Sequence, residues 1–500
     1  MSESSLPAIG RLTSLSVGQV IPFGGDRFVS VDPELASRFV EGDRLVVVQD
    51  TGSLIHVPRA VVDIVDSAVG RAAVGFARLA EIDPSIVDAF YERFAEALSD
   101  DAVFSKVAEA NATDVSVARG RGRAVGRLEL TDKMRRDMID ALRMWRDLPD
   151  PFGTTGDRTS HDSWSVEERR SPLGVVGFVF EGRPNVFADA TGVLKSGNAV
   201  VFRIGSDALG TARALMEHCV NPACEASGLP PECVNLVDSA ERSAGHALFS
   251  DSRLALAVAR GSGEAVAQLG AVARQAGIPV SLHGTGGAWM HVSVGVDGGD
   301  IAAIVDASLD RKVCNTLNVL AVPVAGDAER RAALIGITSA AKRRGLSPIV
   351  HVSSTDHREW AQQLADDHEI EPNIEWVVHE GSDFLAEEWE WDDRPEVSVM
   401  TVADVVDTVD LFNVHSPRFV LSIVTNEEAE FDEAYRRSEA PFVGDGFTRW
   451  VDGQYALGRP ELGLSNWQTG RLFGRGGILS GDGVFSVRYV ARHRDSGQRR

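Results

Sequence analysis

The sequence predicts an α/β protein with two parallel-sheet domains, and three observations lead to that prediction. Short apolar runs alternate with helical stretches over residues 172–290, which is typical of a parallel sheet covered by helices. The alternation resumes after Cys314, with a strand expected over 316–324 and a helix over 328–344. The chain has 500 residues, more than the roughly 250–300 that a single core supports, so at least two domains are expected.

The elements follow from local patterns taken in order along the chain. Residues 1–65 carry strand-like runs broken by turn residues, which indicates a small β-rich extension. Helical periodicity dominates residues 61–148, with one helix expected to start near Pro84 and Ser85. The basic segment 120–126 lies between helices, so a flexible loop is favoured over a nucleotide-binding glycine fingerprint. Further strands are expected over 174–180, 199–202, 234–237, 254–258 and 280–282, and further helices over 132–145, 208–225 and 263–276.

Charge and cysteine content limit the function classes. A formal net charge of −23 disfavours nucleic acid and anionic membranes as partners. No apolar run approaches the roughly 18 residues of a membrane span, and the first twenty residues lack signal-peptide features, so a cytoplasmic protein is expected. The spacings of Cys219, Cys224 and Cys233 do not match a zinc site, and no metal or disulfide framework is predicted.

Cys314 is the candidate nucleophile. The thiolate is the reactive form, and the neighbouring Arg311 and Lys312 could supply positive charge that lowers its pKa. A lone cysteine is more often a small core residue, so this segment alone does not decide between the two roles.

Several ordered segments carry a family resemblance. Residues 171–186 (Ser-Pro-Leu-Gly-Val-Val-Gly-Phe-Val-Phe-Glu-Gly-Arg-Pro-Asn-Val) resemble a signature of glutamyl phosphate reductases, a branch of the aldehyde dehydrogenase superfamily. Similar segments follow in the family's order, and the resemblance runs from about residue 66 to 492. It implies an N-terminal β extension over 1–65 outside the family, a cofactor domain over 66–287 with an arm strand near 160–171, a catalytic domain over 288–450, and a return to the cofactor domain and arm over 451–500. The further matching segments are 109–114, 130–132, 194–203, 278–283, 313–316, 447–450 and 461–465.

The resemblance implies a covalent mechanism in a site between the two α/β domains. Cys314 would attack an activated acyl carbon and form a thioester. The side-chain amide of Asn185 and the backbone N–H of Cys314 would stabilise the oxyanion. Hydride from a reduced nicotinamide would then release the aldehyde.

Cofactor contacts are expected after the strand at 199–202, since ligands bind at the ends of parallel strands. Cationic side chains there suit the 2′-phosphate of NADPH, whereas Asp207 would suit the free ribose hydroxyl of NADH; NADPH is favoured. The segment 260–262 precedes a helix whose N–H groups could line the cofactor, although a plain turn is an equal alternative. The candidate cofactor contacts are Lys195, Arg203, Ser206, Asp207, Arg260, Gly261 and Ser262.

Two features bear on the reaction and the substrate. Aldehyde-oxidising relatives place a Glu before a Gly-Gly pair to activate water, and no carboxylate precedes Gly286 here, which favours reduction. Asn318 and Phe419 replace a Glu and a polar loop residue of the family, whereas Thr448 and Arg449 are retained. These candidate substrate contacts predict a more apolar pocket, in which glutamate 5-semialdehyde would be a poor substrate and an acid with its amine masked, absent or carrier-linked a better one.

Three readings of the function stay open. The first is an acyl phosphate reductase in amino-acid biosynthesis or a related pathway, and the second a reductase of acyl-CoA or carrier thioesters. The third is a non-catalytic homologue that binds nucleotide, or a partner kinase through residues 1–65. Alternating residues over 164–170 and 484–490 match the family's protruding arm, so a homodimer or homotetramer is expected.

Overall fold

Two parallel sheets organise the chain in the computed structural model. The chain divides into one unit made of the residues up to Gly284 together with those from Ser480 onward, and a second unit spanning Thr285–Leu479. None of the helices that the structure describes is long and apolar enough to cross a membrane. The described residues are 10–123, 125–152, 156–356, 360, 374–451, 453–463, 467–468, 471–472 and 476–497.

The N-terminal segment of the first unit consists of two short antiparallel hairpins and one helix. Leu15, Val31, Leu35 and Phe39 form its small core. The segment is anchored to the rest of the unit by Gln275, whose side-chain amide donates to the Val47 carbonyl at 2.6 Å. Its elements are β1 (Val20–Phe23), β2 (Arg27–Ser30), α1 (Pro33–Arg38), β3 (Arg44–Val47) and β4 (Leu54–Val57).

Four long helices follow, in the region where helical periodicity was found. The helix predicted to start near Pro84 begins there, capped by the Asp83 carboxylate, which accepts from the Ser85 N–H. Thr131 caps the last helix in the same way through the Met134 N–H. The helices are α2 (Arg59–Leu79), α3 (Pro84–Ser99), α4 (Asp101–Gly120) and α5 (Asp132–Asp147).

A five-stranded parallel sheet forms the centre of the first unit, in the order β11-β10-β7-β8-β9. Every residue of β7 and β8 is buried, as expected for strands covered on both faces. The carboxyl ends of these strands therefore meet at one edge, where a ligand can bind. The elements are β7 (Val175–Phe180), α6 (Val186–Ala190), β8 (Ala199–Ile204), α7 (Leu209–Leu215), α8 (Asn221–Ser227), β9 (Val234–Leu236), α9 (Ser243–Phe249), β10 (Leu254–Arg260), α10 (Gly263–Gln275) and β11 (Val280–His283).

A three-stranded antiparallel sheet completes the first unit. Its strands β5 (Arg158–Ser160), β6 (Trp164–Pro172) and β23 (Phe485–His493) lie in the order β23-β6-β5. Strand β23 pairs with β6 over its whole length, from Phe485 opposite Pro172 to His493 opposite Trp164. The two segments that alternate in the sequence are thus partners in one sheet.

The second unit is built on a seven-stranded parallel sheet in the order β15-β14-β16-β13-β12-β17-β18. Its apolar core packs the helices that follow β12 and β13 against one face of the sheet. The elements of this sheet and its helices are β12 (Ala288–Val292), α11 (Gly298–Ser308), β13 (Leu317–Pro323), α12 (Asp327–Lys342), β14 (Ile349–Ser353), β15 (Glu375–His379), β16 (Glu396–Val402), α13 (Val405–His415), β17 (Val420–Val424), α14 (Glu428–Arg437) and β18 (Phe442–Gly444). Shorter elements follow: α15 (Gly453–Ala456), β19 (Glu461–Gly463), β20 (Trp467–Gln468), β21 (Arg471–Leu472) and β22 (Leu479–Ser480).

The predicted α/β class is confirmed, with two parallel sheets and the expected strands within one or two residues of their bounds at most positions. The helix predicted over 208–225 is interrupted, because residues Met216–Val220 form a π-helical turn between α7 and α8. Residues 464–465 of the matching segment 461–465 lie outside the described residues.

Candidate active site

Cys314 lies in a turn that leads directly into β13 of the second unit, and its side chain is partly exposed. The turn is closed by the Thr316 hydroxyl, which donates to the Arg311 carbonyl at 2.6 Å and accepts from the Val313 N–H at 2.9 Å. The Gly287 N–H donates to the Cys314 carbonyl at 2.7 Å. The backbone around the thiol is therefore fixed by the hydrogen bonds of Thr316 within the turn and by the bond from Gly287.

The glycine pair beside this turn is required by close packing. A Cβ at position 286 would lie 2.6 Å from the Cys314 carbonyl oxygen and 2.7 Å from the Cys314 Cα. Gly287 has a φ of +104° and would bring a Cβ within 2.9 Å of Asn318. Larger residues would therefore displace the turn that carries the thiol.

The immediate surroundings of the thiol are apolar. Cys314 packs against a buried cluster formed by Ala288, Phe419, Val420 and Val451. Phe419, a predicted substrate contact, is only 1% exposed. The structure thus brings Phe419 and Cys314 into one apolar cluster.

A carboxylate, Glu388, lies close to the glycine pair. Its Oε2 accepts from the Gly286 N–H at 2.5 Å, and its Oε1 is 2.6 Å from the Lys312 ammonium. The ammonium is nearly buried, with 4% of the Lys312 side chain exposed. Both carboxylate oxygens are therefore engaged, and the positive charge of Lys312 is balanced by Glu388.

Asn318 holds the segment that carries this carboxylate. Its Nδ2 donates to the Glu387 carbonyl at 2.8 Å, and its Oδ1 accepts from the Trp389 N–H at 3.0 Å. Since these bonds lie on either side of Glu388, the amide fixes the position of that residue. Asn318 was predicted to contact substrate, and the structure gives it this internal positioning role.

Thr448 and Arg449 follow a strained residue. Phe447 has a φ of +44°, a left-handed conformation that costs a non-glycine residue roughly 1–3 kcal/mol. The Thr448 Oγ1 is buried with no hydrogen-bond partner among the described residues. Arg449 contacts Asp310 at 2.6 Å and donates to the side chain of Asn315, the neighbour of Cys314. The charge of Arg449 is thus already balanced within the unit.

In the first unit, Asn185 lies at the start of α6, just beyond β7. Its Nδ2 donates to Asp189 at 3.1 Å. A side-chain amide nitrogen carries two hydrogens, so this bond engages one of them. Asn185 is partly buried, as a residue that orients a donor at a strand end would be.

Arg203 and Ser206 lie at the carboxyl end of β8, at the edge where ligands bind in such sheets. Arg203 is 9% exposed, its Nη2 donates to the Glu241 carbonyl at 3.0 Å, and its Nε has no partner among the described residues. Burial and the nearby Arg242 lower the pKa of Arg203. Ser206 is exposed.

Lys195 does not share this edge, which corrects its grouping with Arg203 and Ser206. It precedes the start of β8, whereas the other two lie at or beyond its end. A six-residue strand separates its ends by roughly 20 Å. The Lys195 amine is 2.6 Å from Asp88, donates to the Arg146 carbonyl, and belongs to a side chain that is 5% exposed. The prediction that Lys195 contacts the cofactor is therefore wrong.

Asp207 is held by two arginines of the loop that follows α4. The Arg121 Nη1 lies 3.4 Å from Asp207 Oδ1, and Arg123 donates to the other carboxylate oxygen. The two arginines belong to the basic segment 120–126, whose position between helices was predicted correctly.

The turn at residues 260–262 follows β10 and leads into α10. The Ser262 N–H at the start of that helix donates to Glu181 Oε1 at 2.7 Å, and a Cβ at Gly261 would lie 2.6 Å from the same oxygen. The close approach of the Glu181 carboxylate to this backbone therefore requires glycine at position 261. Burial and the charges of Arg260 and Arg183 hold the pKa of the neighbouring His283 well below its usual range.

Sequence reasoning missed Glu388 and Asn315 in the thiol region. Asn315 directly follows Cys314, and this adjacency could have identified it. Glu388 is 74 residues away in an acidic, tryptophan-containing stretch, and nothing in that stretch indicates contact with the glycine pair. Within the described ranges, no three His, Cys, Asp or Glu side chains are grouped to hold a metal ion.

Comparison with known proteins identifies the family. The family model "Aldehyde dehydrogenase family" matches residues 46–317, more than half of the chain. Three similar solved structures are the gamma-glutamyl phosphate reductase of Thermotoga maritima (23% identity, TM-score 0.73, covering 88% of this chain and 100% of that one), the propionaldehyde dehydrogenase of Rhodopseudomonas palustris with bound CoA and an acylated cysteine (16%, 0.59, 86% and 97%), and an engineered glycolyl-CoA reductase with bound NADP+ (16%, 0.59, 87% and 98%). At these identities the likeness to the three structures concerns the fold.

Proposed function

Because the chain belongs to the aldehyde dehydrogenase family of oxidoreductases, we propose that it reduces an activated acyl group, such as an acyl phosphate, to an aldehyde through a thioester on Cys314. The observation that carries this proposal is the setting of the thiol. Cys314 is partly exposed on a hydrogen-bonded turn and packs against an apolar cluster, while the carboxylate beside the glycine pair, Glu388, is engaged by Lys312 and the Gly286 N–H.

The acyl step follows from the chemistry of a cysteine in that setting. The Cys314 sulfur attacks the carbonyl carbon of the acyl phosphate, a C–S bond forms, and the C–O bond to phosphate breaks. Asn185 is proposed to donate a hydrogen bond to the oxyanion that develops, together with the Cys314 N–H. The dinucleotide supplies the hydride that turns the thioester into the aldehyde and returns the thiolate.

The direction of the reaction is supported by the state of Glu388. A general base for water needs a carboxylate oxygen that is available to take a proton. Both oxygens of Glu388 already accept from other groups, so taking a proton from water beside the thioester would weaken its bonds to Lys312 or to the Gly286 N–H. Such a site preserves the thioester for reduction rather than hydrolysing it to the acid.

The first unit has features that fit a dinucleotide. The strand-end edge of the five-stranded sheet carries Arg203, whose buried Nε lacks a partner among the described residues, and the start of α10 presents backbone N–H groups. Arg203 and Ser206 would hold the ribose end, and Gly261 and Ser262 would line the far side. A cationic strand end favours NADPH over NADH.

The test is consumption of the reduced nicotinamide by the purified full chain with a panel of acyl phosphates. We expect NADPH oxidation that depends on the acyl phosphate and yields an equivalent of aldehyde. The reverse reaction, with NADP+, phosphate and the aldehyde, must also proceed. Failure of every acyl phosphate in the panel, with intact NADPH binding, would contradict the proposal.

A second candidate is reduction of an acyl-CoA or carrier-bound thioester, favoured by the apolar cluster, including Phe419, against which Cys314 packs. The same Cys314 thioester would form, with a thiol rather than phosphate as leaving group. The bound CoA in the propionaldehyde dehydrogenase structure shows that a protein of this fold takes such a donor. Turnover with acyl-CoA but not with acyl phosphate would select this candidate.

The apolar cluster beside Cys314 also bears on the class of substrate. Phe419 is buried in the apolar cluster beside Cys314, and the charge of Arg449 is balanced by Asp310, so these side chains offer few partners for a free α-amino acid. A charged α-amino or α-carboxylate group that leaves water costs free energy unless the site pairs it. We therefore expect glutamate 5-semialdehyde to turn over poorly in the reverse assay, and an analogue with a masked amine to turn over better.

A further inference from the structure

The loop between α4 and α5 meets the cofactor edge of the first unit through Asp207. Asp207 lies just after β8, where a carboxylate would select the free ribose hydroxyl of NADH and repel a 2′-phosphate. In the structure this carboxylate is not alone, because Arg121 and Arg123 both bond to it. The local charge of the three groups is therefore +1 rather than −1.

We propose that Arg121 and Arg123 form a cofactor-selecting clamp that binds the 2′-phosphate of NADPH, an inference that rests on the proposed use of a nicotinamide cofactor. Guanidinium groups bind phosphate oxygens with paired, charge-assisted hydrogen bonds. A phosphate group offers more acceptor oxygens to the two arginines than a carboxylate does. Asp207 holds the two side chains near the strand end when no phosphate is present.

The exposure of the three side chains allows this exchange. Arg121 and Arg123 are 55% and 52% exposed, and Asp207 is 22% exposed. Ion pairs with this much solvent contact contribute little to stability, so the arginines can leave Asp207 for a dianionic phosphate at small cost. A buried pair would hold them in place.

A second observation at the same strand end points to an anion. Arg203 is buried there, its Nε has no partner among the described residues, and burial together with the charge of Arg242 lowers its pKa. An anion that binds beside two neighbouring cations stabilises the charge of both. The end of β8 therefore combines cations from a strand, a loop after β9 and the loop after α4.

The basic loop follows a helix, not the strand that precedes a glycine fingerprint. The proposed role does not use its glycines as such a fingerprint. It uses the two arginines, which the length of α4 brings to the end of β8.

The experiment measures binding of two probes by calorimetry: adenosine 2′,5′-bisphosphate, which carries the 2′-phosphate, and 5′-AMP, which lacks it. For the Arg121→Gln/Arg123→Gln variant we expect binding of the bisphosphate to weaken by roughly 10- to 100-fold, with 5′-AMP unchanged within about twofold. The dependence of bisphosphate binding on salt should also become shallower, since two phosphate contacts are lost.

Matched variants keep the result interpretable. Arg119→Gln removes another exposed arginine, at the end of α4, that pairs with Glu129, and should change the binding of neither probe. Asp207→Asn should leave bisphosphate binding intact or tighter. Equal weakening of both probes, no weakening of the bisphosphate, or its loss in Asp207→Asn would each overturn the clamp. Because no acyl substrate is present, these outcomes are separate from a failure of acyl reduction.

Discussion

The four cysteines divide between two regions that treat a thiol in opposite ways. Cys219, Cys224 and Cys233 lie in the first unit with at most 1% of each side chain exposed, and burial raises the pKa of each to about 12. Cys314 lies in the second unit on a turn, partly exposed, beside Asn315 and two glycines. Position in the fold, rather than residue type, thus separates inert thiols from a candidate nucleophile.

The largest expected effect is at Cys314 itself. Cys314→Ser should lower aldehyde formation by roughly 10⁴-fold or more, because a serine hydroxyl is a much weaker nucleophile than a cysteine thiolate at neutral pH. The affinity for NADPH should change by less than about twofold, since the substitution removes no charge. Steady-state rates and a fluorescence titration of NADPH measure the two quantities. Near-normal turnover of Cys314→Ser would contradict the assignment of Cys314 as the nucleophile.

The next effect concerns the oxyanion. Asn185→Ala should reduce kcat by about 10²–10³, the usual cost of losing one donor, with NADPH affinity retained. Asn185→Asp is the matched variant, since it keeps the size of the side chain and removes the amide donor. If both variants lost only substrate affinity, with kcat unchanged, Asn185 would be a structural residue of the α6 start.

A smaller effect is expected from the ion pair beside the thiol. Lys312→Met leaves the Glu388 carboxylate without its cation in a nearly buried site, which should lower the free energy of unfolding by about 3 kcal/mol. It also frees a base, so the ratio of acid to aldehyde product should rise about tenfold.

The double variant Lys312→Met/Glu388→Gln separates the two consequences. It removes the unpaired charge as well as the base, so stability should recover in part and acid formation should return to the level of the unmodified chain. Denaturant unfolding and product analysis read the two out. Acid formation that persisted in the double variant would mean that Glu388 is not the base.

Periodicity predicted the elements well, because β7 and β8 are uninterrupted apolar runs and the helix starts carry capping residues such as Asp83. The site was less accessible to sequence reasoning. Lys195 was misplaced although it precedes Ala199, and the order of the chain alone puts it at the amino end of β8. Glu388 and Arg123 were missed because their partners, Gly286 and Asp207, are 102 and 84 residues away. Long-range polar contacts of exposed or half-buried groups leave no periodic trace.

The smallest expected effect is the one that defines the inert region. Changing Cys219, Cys224 or Cys233 singly to Ala should alter kcat/KM by less than about twofold, because each is buried in the core of the first unit, whereas the Cys314 turn belongs to the second. Each change removes one sulfur from a packed core and should cost about 1 kcal/mol of stability.

Thiol labelling tests directly whether Cys314 is accessible and the other three cysteines are not. With the pKa of each buried thiol raised to about 12, only roughly 10⁻⁴ of it is thiolate at pH 8, and burial also excludes the reagent. One equivalent of maleimide should therefore react with the folded chain at pH 8 and four with the denatured chain, and the single equivalent should disappear in Cys314→Ser. Raising the pH to 10 should increase the thiolate fraction of the buried three about a hundredfold and still leave them unlabelled, since access rather than ionisation then limits the rate. Labelling of a second thiol in the folded chain at pH 8 would show that the first unit opens locally around one of its three cysteines. Local opening, rather than burial alone, would then decide which thiols react.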